Sequence, residues 1–216
     1  MNDALKRLSV ATVLLLASGL AFSSGMISGR YALRTLPGSQ LDFREIYIAE
    51  DAEKISGFFD NPFTRPIGNR SDENPTCRFF FNGSMLGDGS IRLDTWYPDG
   101  QTGNIETGSP IVLREKSGQW VATVTGDLPN CDAPTIESGD FLKLDAPRPW
   151  KSIGYINKSK TFLYSDPSDD SRTKAYLVRS DPVALVQSKG EWVEINYFGH
   201  RANLLRWLKR TDLTQR

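Results

Sequence analysis

Short strand-like segments separated by turn residues constrain the fold of this chain more than any other feature of its sequence. Between residues 78 and 144, apolar and aromatic residues alternate over about five to seven positions and then give way to Gly, Pro, Asn or Asp. Pro98-Asp99-Gly100 and Lys116-Ser117-Gly118 are typical of tight turns, because proline fixes φ and glycine accepts a positive φ. The pattern predicts an all-β fold that begins with an antiparallel β-sandwich or β-barrel.

The strands of this part are predicted from alternation and from the turns that bound them. They are expected at Glu45–Ala49, Arg78–Asn82, Ser90–Tyr97, Pro110–Glu115, Gln119–Thr125 and Phe141–Leu144. The residues after Ala49 indicate one helical turn, and the proline-containing stretch 60–76 indicates a loop. Residues 29–43 show no sustained periodicity.

A proline-rich joint divides the chain. Ala146-Pro147-Arg148-Pro149 favours an extended connection, because a residue before proline is held away from the helical region. Residues 25–150 carry 12 basic and 18 acidic side chains, a net charge of −6, whereas residues 151–216 carry 12 basic and 7 acidic ones, a net charge of +5. Such surfaces would attract each other. We therefore expect an acidic β domain at 25–146, a linker at 147–153 and a second β domain at 154–216.

Composition excludes several classes of protein. With 39% hydrophobic and 24% charged residues, the chain is neither a disordered polyelectrolyte nor a multi-pass membrane protein. Its 26 basic side chains are balanced by 26 acidic ones, which argues against a nucleic-acid partner.

The first 24 residues have the plan of a secretory signal peptide. Lys6 and Arg7 precede Leu8–Phe22, a run of 15 uncharged residues that is shorter than the roughly 20 needed to span a bilayer. Small residues allow cleavage somewhere in 19–25, and an uncleaved anchor is the alternative. Either outcome exports the folded part, so we expect a periplasmic or secreted protein with no integral membrane part once the leader is removed.

Export gives the two cysteines a role. In an oxidising compartment, Cys77 and Cys131 are expected to form one disulfide, which would stabilise the fold by roughly 4 kcal/mol. Two cysteines and the single histidine, His200, cannot supply an ordinary four-ligand zinc site. We expect neither a metal nor a cofactor.

The C-terminal part resembles the bacterial SH3-like domain family. The resemblance covers Thr161 through Leu213, within 154–213. It rests on three segments, Phe162–Pro167, Lys189–Ile195 and Trp207–Lys209 ahead of Asp212-Leu213. It implies a small β-barrel of the kind common in exported and cell-wall-associated proteins, with Tyr164 and Trp207 lining a ligand groove. We recognise no family for residues 25–150.

Candidate binding residues are aromatic and basic. Tyr164 and Trp207 are the rings that the resemblance would place in a groove, and Trp192 is expected to pack beneath them as core. The nearby basic residues form a run: His200, Arg201, Arg206, Lys209 and Arg210. They suit an anionic surface, although a charge run is more often a solvated face and this one could dock on the acidic part of the same chain.

Catalytic signatures are scarce. The single histidine excludes two-histidine relays and metal motifs, and no Gly-x-Ser-x-Gly, phosphate-loop or dinucleotide motif occurs. Carboxylates that could pair in a hydrolase are more often turn formers beside Gly and Pro. They are Asp88, Asp94, Asp99, Asp127 and Asp132. We do not expect an enzyme.

These observations predict an exported, non-enzymatic binding protein of the bacterial cell envelope. Its ligand would be a cell-wall peptide or a protein, recognised by the C-terminal domain. One alternative is a periplasmic inhibitor or immunity protein that neutralises a toxin or lytic enzyme, since an acidic domain would complement a basic enzyme. The second alternative is a carboxylate-dependent hydrolase, which requires two acidic groups converging in one pocket.

Overall fold

The protein is built from two antiparallel β-sheets. A computed structural model describes residues 25–34, 44–61, 77–99, 104–131, 135–199 and 202–216. Within these ranges there is no α-helix, and the only helical turns are the 3₁₀ turns Asp169–Ser171 and Arg210–Asp212. The all-β prediction is confirmed. The predicted leader, most of the predicted loop at 60–76 and Gly100 lie outside the described residues.

The first sheet closes into an eight-stranded barrel. Its strands are β1 (Gly29–Arg34), β2 (Glu45–Asp51), β3 (Lys54–Asp60), β4 (Arg78–Met85), β5 (Ile91–Pro98), β7 (Ile111–Lys116), β8 (Gln119–Val124) and β9 (Phe141–Pro147), with the short β6 (Ile105–Thr107) paired to β5. Around the barrel the strands follow the order β1-β2-β3-β4-β5-β7-β8-β9. The barrel is closed because β1 pairs with both β2 and β9. Of the two predicted architectures, sandwich and barrel, the barrel is correct.

The barrel interior is packed with apolar side chains. Alternation along β4 turns Phe79 and Phe81 inward, where they are at most 1% exposed, while Phe80 faces outward. Gly57 of β3 lies opposite Phe81 of β4, and a Cβ at Gly57 would lie 1.9 Å from the Phe81 ring. An eight-stranded barrel is just wide enough to be filled by its own side chains, and this one is filled in that way.

The predicted helical turn after Ala49 is wrong. β2 continues to Asp51 and turns directly into β3. The turn residues Ala52 and Glu53 both have positive φ, 49° and 70°. A two-residue turn of this kind matches the twist of an antiparallel hairpin, and the pairing of β2 with β3 overrides the weak helical preference of these residues.

One disulfide and one buried ion pair link parts of the barrel that are distant in sequence. The predicted disulfide between Cys77 and Cys131 is confirmed, and the two residues also form an isolated β-bridge. The Arg44 guanidinium binds the Asp140 carboxylate through two hydrogen bonds of 2.7 and 3.0 Å. Both side chains are buried, and each compensates part of the charge of the other.

The second sheet is an open half-barrel. Its strands are β10 (Ser152–Ile156), β11 (Thr161–Tyr164), β12 (Arg172–Leu177), β13 (Pro182–Lys189), β14 (Trp192–Gly199), β15 (Ala202–Lys209) and β16 (Leu213–Thr214), in the order β12-β11-β15-β14-β13-β10-β16. One face of this sheet forms its own apolar core, which includes Leu163, Val193, Ile195 and Leu208. The opposite face, called the outer face below, packs partly on the barrel and is partly open.

The two sheets meet along an aromatic seam. Between β9 and β10 the chain has four residues, 148–151, so the predicted linker 147–153 overlaps the ends of both strands. Tyr47 on the barrel stacks on Phe198 of the second sheet at 4.2 Å between ring centroids. Phe80 lies under Trp96 and contacts Tyr155, at 4.9 and 5.7 Å. The outward ring of the Phe79–Phe81 run is therefore covered by Trp96 and by the second sheet.

Candidate binding site

Side-chain alternation on the second sheet places the two predicted groove rings together. Tyr164 of β11 lies directly opposite Trp207 of β15, and Trp207 lies opposite Glu194 of β14. Residues that face each other across antiparallel strands project from the same side of a sheet. Tyr164 and Trp207 are therefore neighbours on the outer face, and both are partly exposed.

Trp192 packs against Tyr164 on the same face of the sheet. Its side chain is only 6% exposed, and the Tyr164 ring packs edge-on against it at 4.7 Å between centroids. Lys209 covers the indole with its Nζ 5.1 Å from the ring centroid and forms a 2.8 Å ion pair with Asp169. The hydrogen bond to Asp169 raises the pKa of Lys209, so this lysine stays charged at neutral pH. Trp192 is therefore buried as predicted, and it contacts Tyr164, one of the two candidate rings.

Two further rings extend the surface, and sequence reasoning missed them. Phe162 is two residues from Tyr164 on β11 and lies opposite Tyr176 on β12. Tyr176 is 51% exposed. The Nζ atom of Lys160 lies 4.2 Å from the Tyr176 ring and 4.8 Å from the Phe162 ring, which is within the range of a cation–π contact. The alternation in Phe162-Leu163-Tyr164 was the available signal, because it puts Phe162 on the same side as Tyr164.

The four rings form what is called here the aromatic face: Phe162, Tyr164, Tyr176 and Trp207. Its flanking charges include Lys160, Glu194 and Arg172, whose Cζ is 4.9 Å from the Phe162 ring. Exposed rings bordered by cations can stack on flat or apolar groups while binding carboxylates. The arrangement supplies contacts for binding and no paired acid and base.

An apolar notch continues the aromatic face towards the seam. It encloses about 180 Å³ and is lined by Trp150, Val186, Asn196 and Leu205, among others. Leu205 lies two residues before Trp207 on β15 and is 49% exposed. Two of the lining residues are fixed relative to each other, because Asn196 Oδ1 accepts a 3.1 Å hydrogen bond from Trp150 Nε1. The notch can receive one apolar side chain.

Arg206, a member of the predicted basic run, does not lie beside the rings. Arg206 lies opposite Ile195 and so projects from the other face of β15, where its Nη1 donates to the carbonyl of Leu205 at 2.7 Å. His200 and Arg201 lie outside the described residues.

The carboxylates considered for hydrolysis are spread over the barrel surface. Asp88 and Asp94 are exposed and each lies beside an arginine, Arg114 at 3.8 Å and Arg92 at 3.1 Å. Hydrogen bonds from Ser90 lower the pKa of Asp88. Asp127 is exposed, Asp99 is half-buried, and Asp132 lies outside the described residues. Within the described ranges no group of three or more His, Cys, Asp or Glu side chains is arranged to hold a metal ion.

Comparison with protein-family models, with curated proteins and with solved structures finds no match to this chain. In the part of the chain that the structure describes, no helix has both the length and the apolar character needed to cross a bilayer.

Proposed function

We propose that this chain is an exported, non-enzymatic binding protein of the bacterial cell envelope, and that the aromatic face is its recognition surface. The observation that carries the proposal is the contrast between a filled barrel and four partly exposed rings on the open sheet. Aromatic side chains placed on a rigid sheet contribute large contact area at a small entropic cost, which favours binding.

We further propose that the second sheet is an SH3-like domain. Two features support this assignment. The sheet is a small half-barrel with its own apolar core, and Tyr164 and Trp207, which the family resemblance would place in a groove, lie opposite each other on its outer face.

A cell-wall peptide suits the chemistry of the aromatic face. Lys160 and Arg172 lie beside its rings and would attract the carboxylates of such a peptide. The rings would pack on its aliphatic portions, and the apolar notch beside Leu205 would receive one apolar side chain. Export through the predicted leader would bring the protein to this ligand.

Co-sedimentation with purified peptidoglycan tests the proposal. We expect the wild-type chain without its leader to sediment with the polymer, and Trp207→Ala to lose at least about tenfold in affinity, equivalent to 1.4 kcal/mol. Leu86→Ala is the matched control, because Leu86 is a 42% exposed apolar residue on the barrel. It should bind as the wild type does.

Two results would overturn this version. One is a wild-type chain that remains in the supernatant. The other is a Trp207→Ala variant that sediments as well as Leu86→Ala does, which would place any binding away from the aromatic face.

A periplasmic inhibitor or immunity protein is the second candidate. The barrel supports it, because residues 25–150 carry the acidic excess, and Asp88 in the β4–β5 turn and Asp94 on β5 are exposed. A basic lytic enzyme would complement such a surface. Affinity purification from a periplasmic extract should then recover one protein in near-equal amount, and Asp88→Asn with Asp94→Asn should reduce that recovery.

A further inference from the structure

A second cavity lies between the barrel and the second sheet, and it shares no lining residue with the aromatic face. It encloses about 480 Å³. Its walls come from the β2–β3 hairpin, from β4, from the connection that follows Pro149 and from the end of the chain. Four cationic side chains line it, and they define what is called here the basic cleft: Lys54, Lys151, Arg210 and Arg216.

The charges of the basic cleft are poorly compensated. The four cations come from the β2–β3 hairpin, from the connection after Pro149 and from residues 210–216, and among the described lining residues only Asp51 has a carboxylate side chain. Within the described residues, none of the four cations forms an ion pair, in contrast to Lys158 and Lys209, which pair with Asp212 and Asp169. Like charges that converge without counter-charges repel one another, and a bound anion would relieve that repulsion.

The walls of the basic cleft are held by hydrogen bonds across the seam. Ser56 Oγ of β3 accepts a 2.8 Å hydrogen bond from the backbone N–H of Ile153. Asn82 Nδ2 of β4 donates to the carbonyl of Arg216 at 2.5 Å, and the Arg216 guanidinium lies 5.4 Å from the centroid of the Trp96 ring. Because both sheets contribute to these contacts, the cleft exists only when barrel and second sheet are packed together.

The size and lining of the cleft indicate the class of ligand. A volume of about 480 Å³ lies within the range of small-molecule sites. The guanidinium groups of Arg210 and Arg216 match the geometry of phosphate oxygens, which they can bind through two parallel hydrogen bonds. The exposed hydroxyl of Ser188 would bind a neighbouring hydroxyl of the ligand. We propose that the basic cleft binds a small phosphate-bearing anion with at least two negative charges.

Calorimetric titration of the chain without its leader with inorganic pyrophosphate tests this proposal. We expect binding that weakens as salt is added, because exposed charges are screened. Arg210→Gln and Lys151→Gln should each weaken binding about fivefold, and the double variant more than about tenfold, which corresponds to 1.4 kcal/mol. Lys174→Gln is the matched control, since Lys174 is an exposed lysine of β12 outside the cleft, and it should leave the affinity unchanged.

Two parallel titrations identify the chemistry and the source of the ligand. Citrate tests whether carboxylates suffice, and we expect it to bind more weakly than pyrophosphate. Vesicles of phosphatidylglycerol test a lipid headgroup as the source of the phosphate. Sedimentation with vesicles that Arg210→Gln abolishes would assign the phosphate to a lipid, whereas pyrophosphate binding without vesicle binding would assign it to a free small molecule.

Three results would overturn the proposal: no binding of pyrophosphate at millimolar concentration, an affinity that Arg210→Gln with Lys151→Gln leaves unchanged, or citrate binding as tightly as pyrophosphate. Trp207→Ala separates this site from the aromatic face. It should bind pyrophosphate as the wild type does, so failure of either proposal leaves the other intact.

Discussion

The closed barrel and the open second sheet use their apolar residues differently. In the barrel, Phe79 and Phe81 point inward and are at most 1% exposed, and the space they fill cannot hold a ligand. In the second sheet, one face forms a core while the other leaves Tyr176 51% exposed and Trp207 partly exposed. The barrel is closed and filled, whereas the second sheet leaves part of one face exposed. We propose that the barrel serves as the scaffold and that the outer face of the second sheet serves as the working surface.

The largest expected effect on the scaffold comes from its buried ion pair. Asp140→Ala removes a carboxylate that binds the buried Arg44 guanidinium, which should lower the free energy of unfolding by about 3–5 kcal/mol in urea denaturation. The double variant Arg44→Met with Asp140→Leu removes both charges and should lose less than the single variant. A single variant that loses under about 1 kcal/mol would show that the pair does not fasten the barrel.

A second, smaller loss of stability is expected from overfilling the barrel interior. Gly57→Ala places a methyl group against the Phe81 ring and should cost about 1–3 kcal/mol of stability through overpacking. Gly87→Ala is the control, because a Cβ at Gly87 meets nothing within 4 Å, and its melting temperature should stay close to that of the wild type. Equal melting temperatures for both variants would indicate unfilled space in the barrel interior beside Phe81.

A substitution on the working surface should reduce ligand binding much more than stability. Trp207→Ala removes a partly exposed cross-strand neighbour of Tyr164 and Glu194, so the loss of stability should be about 1 kcal/mol. Loss of ligand binding should far exceed that change. If urea denaturation showed a loss as large as that of Asp140→Ala, Trp207 would belong to the scaffold and the contrast between the two sheets would fail.

The smallest effect concerns the pH dependence at the seam. Burial raises the pKa of Asp181, and the hydrogen bond from Val178 N–H and the charge of Arg78 oppose it only in part. A raised pKa means that the folded state favours the protonated acid, so this group costs stability above its pKa and the cost disappears as the pH falls. Asp181→Asn keeps the acceptor for Val178 and should stabilise the fold at pH 7 by less than about 1 kcal/mol, because solvent screens a half-exposed group.

Thermal unfolding across a pH series measures this difference. The gap between Asp181→Asn and the wild type should be widest at neutral pH and should close as the pH falls below the ordinary aspartate value of 3.8. A variant less stable than the wild type at pH 7 would mean that attraction to Arg78 outweighs burial.

Much of the strand pattern could be predicted, because alternation and turns are local signals. The hairpin through Lys116-Ser117-Gly118 formed as predicted, with positive φ at Ser117 and Gly118. Closure of the barrel could not be predicted. It depends on β1, a six-residue strand in a stretch without sustained periodicity, pairing with β9 far away along the chain. No local signal encodes that contact.

The candidate site could also be predicted from the sequence only in part. The family resemblance pointed to Tyr164 and Trp207, and the register of β11 with β15 brings them together. Tyr176 joins them only through its pairing with Phe162, which requires a register that the sequence does not reveal. The basic cleft was unforeseen, because Lys54 and Arg216 are distant in sequence and meet only when the two sheets pack.

Hydrogen–deuterium exchange of residues 25–216, with and without soluble peptidoglycan fragments, tests most directly whether the second sheet binds the proposed ligand. We expect slower exchange in β11, β12 and β15 when fragments are present, with the barrel strands unchanged. Slower exchange at the barrel turn Leu86–Gly89, with β11 and β15 unaffected, would contradict this expectation.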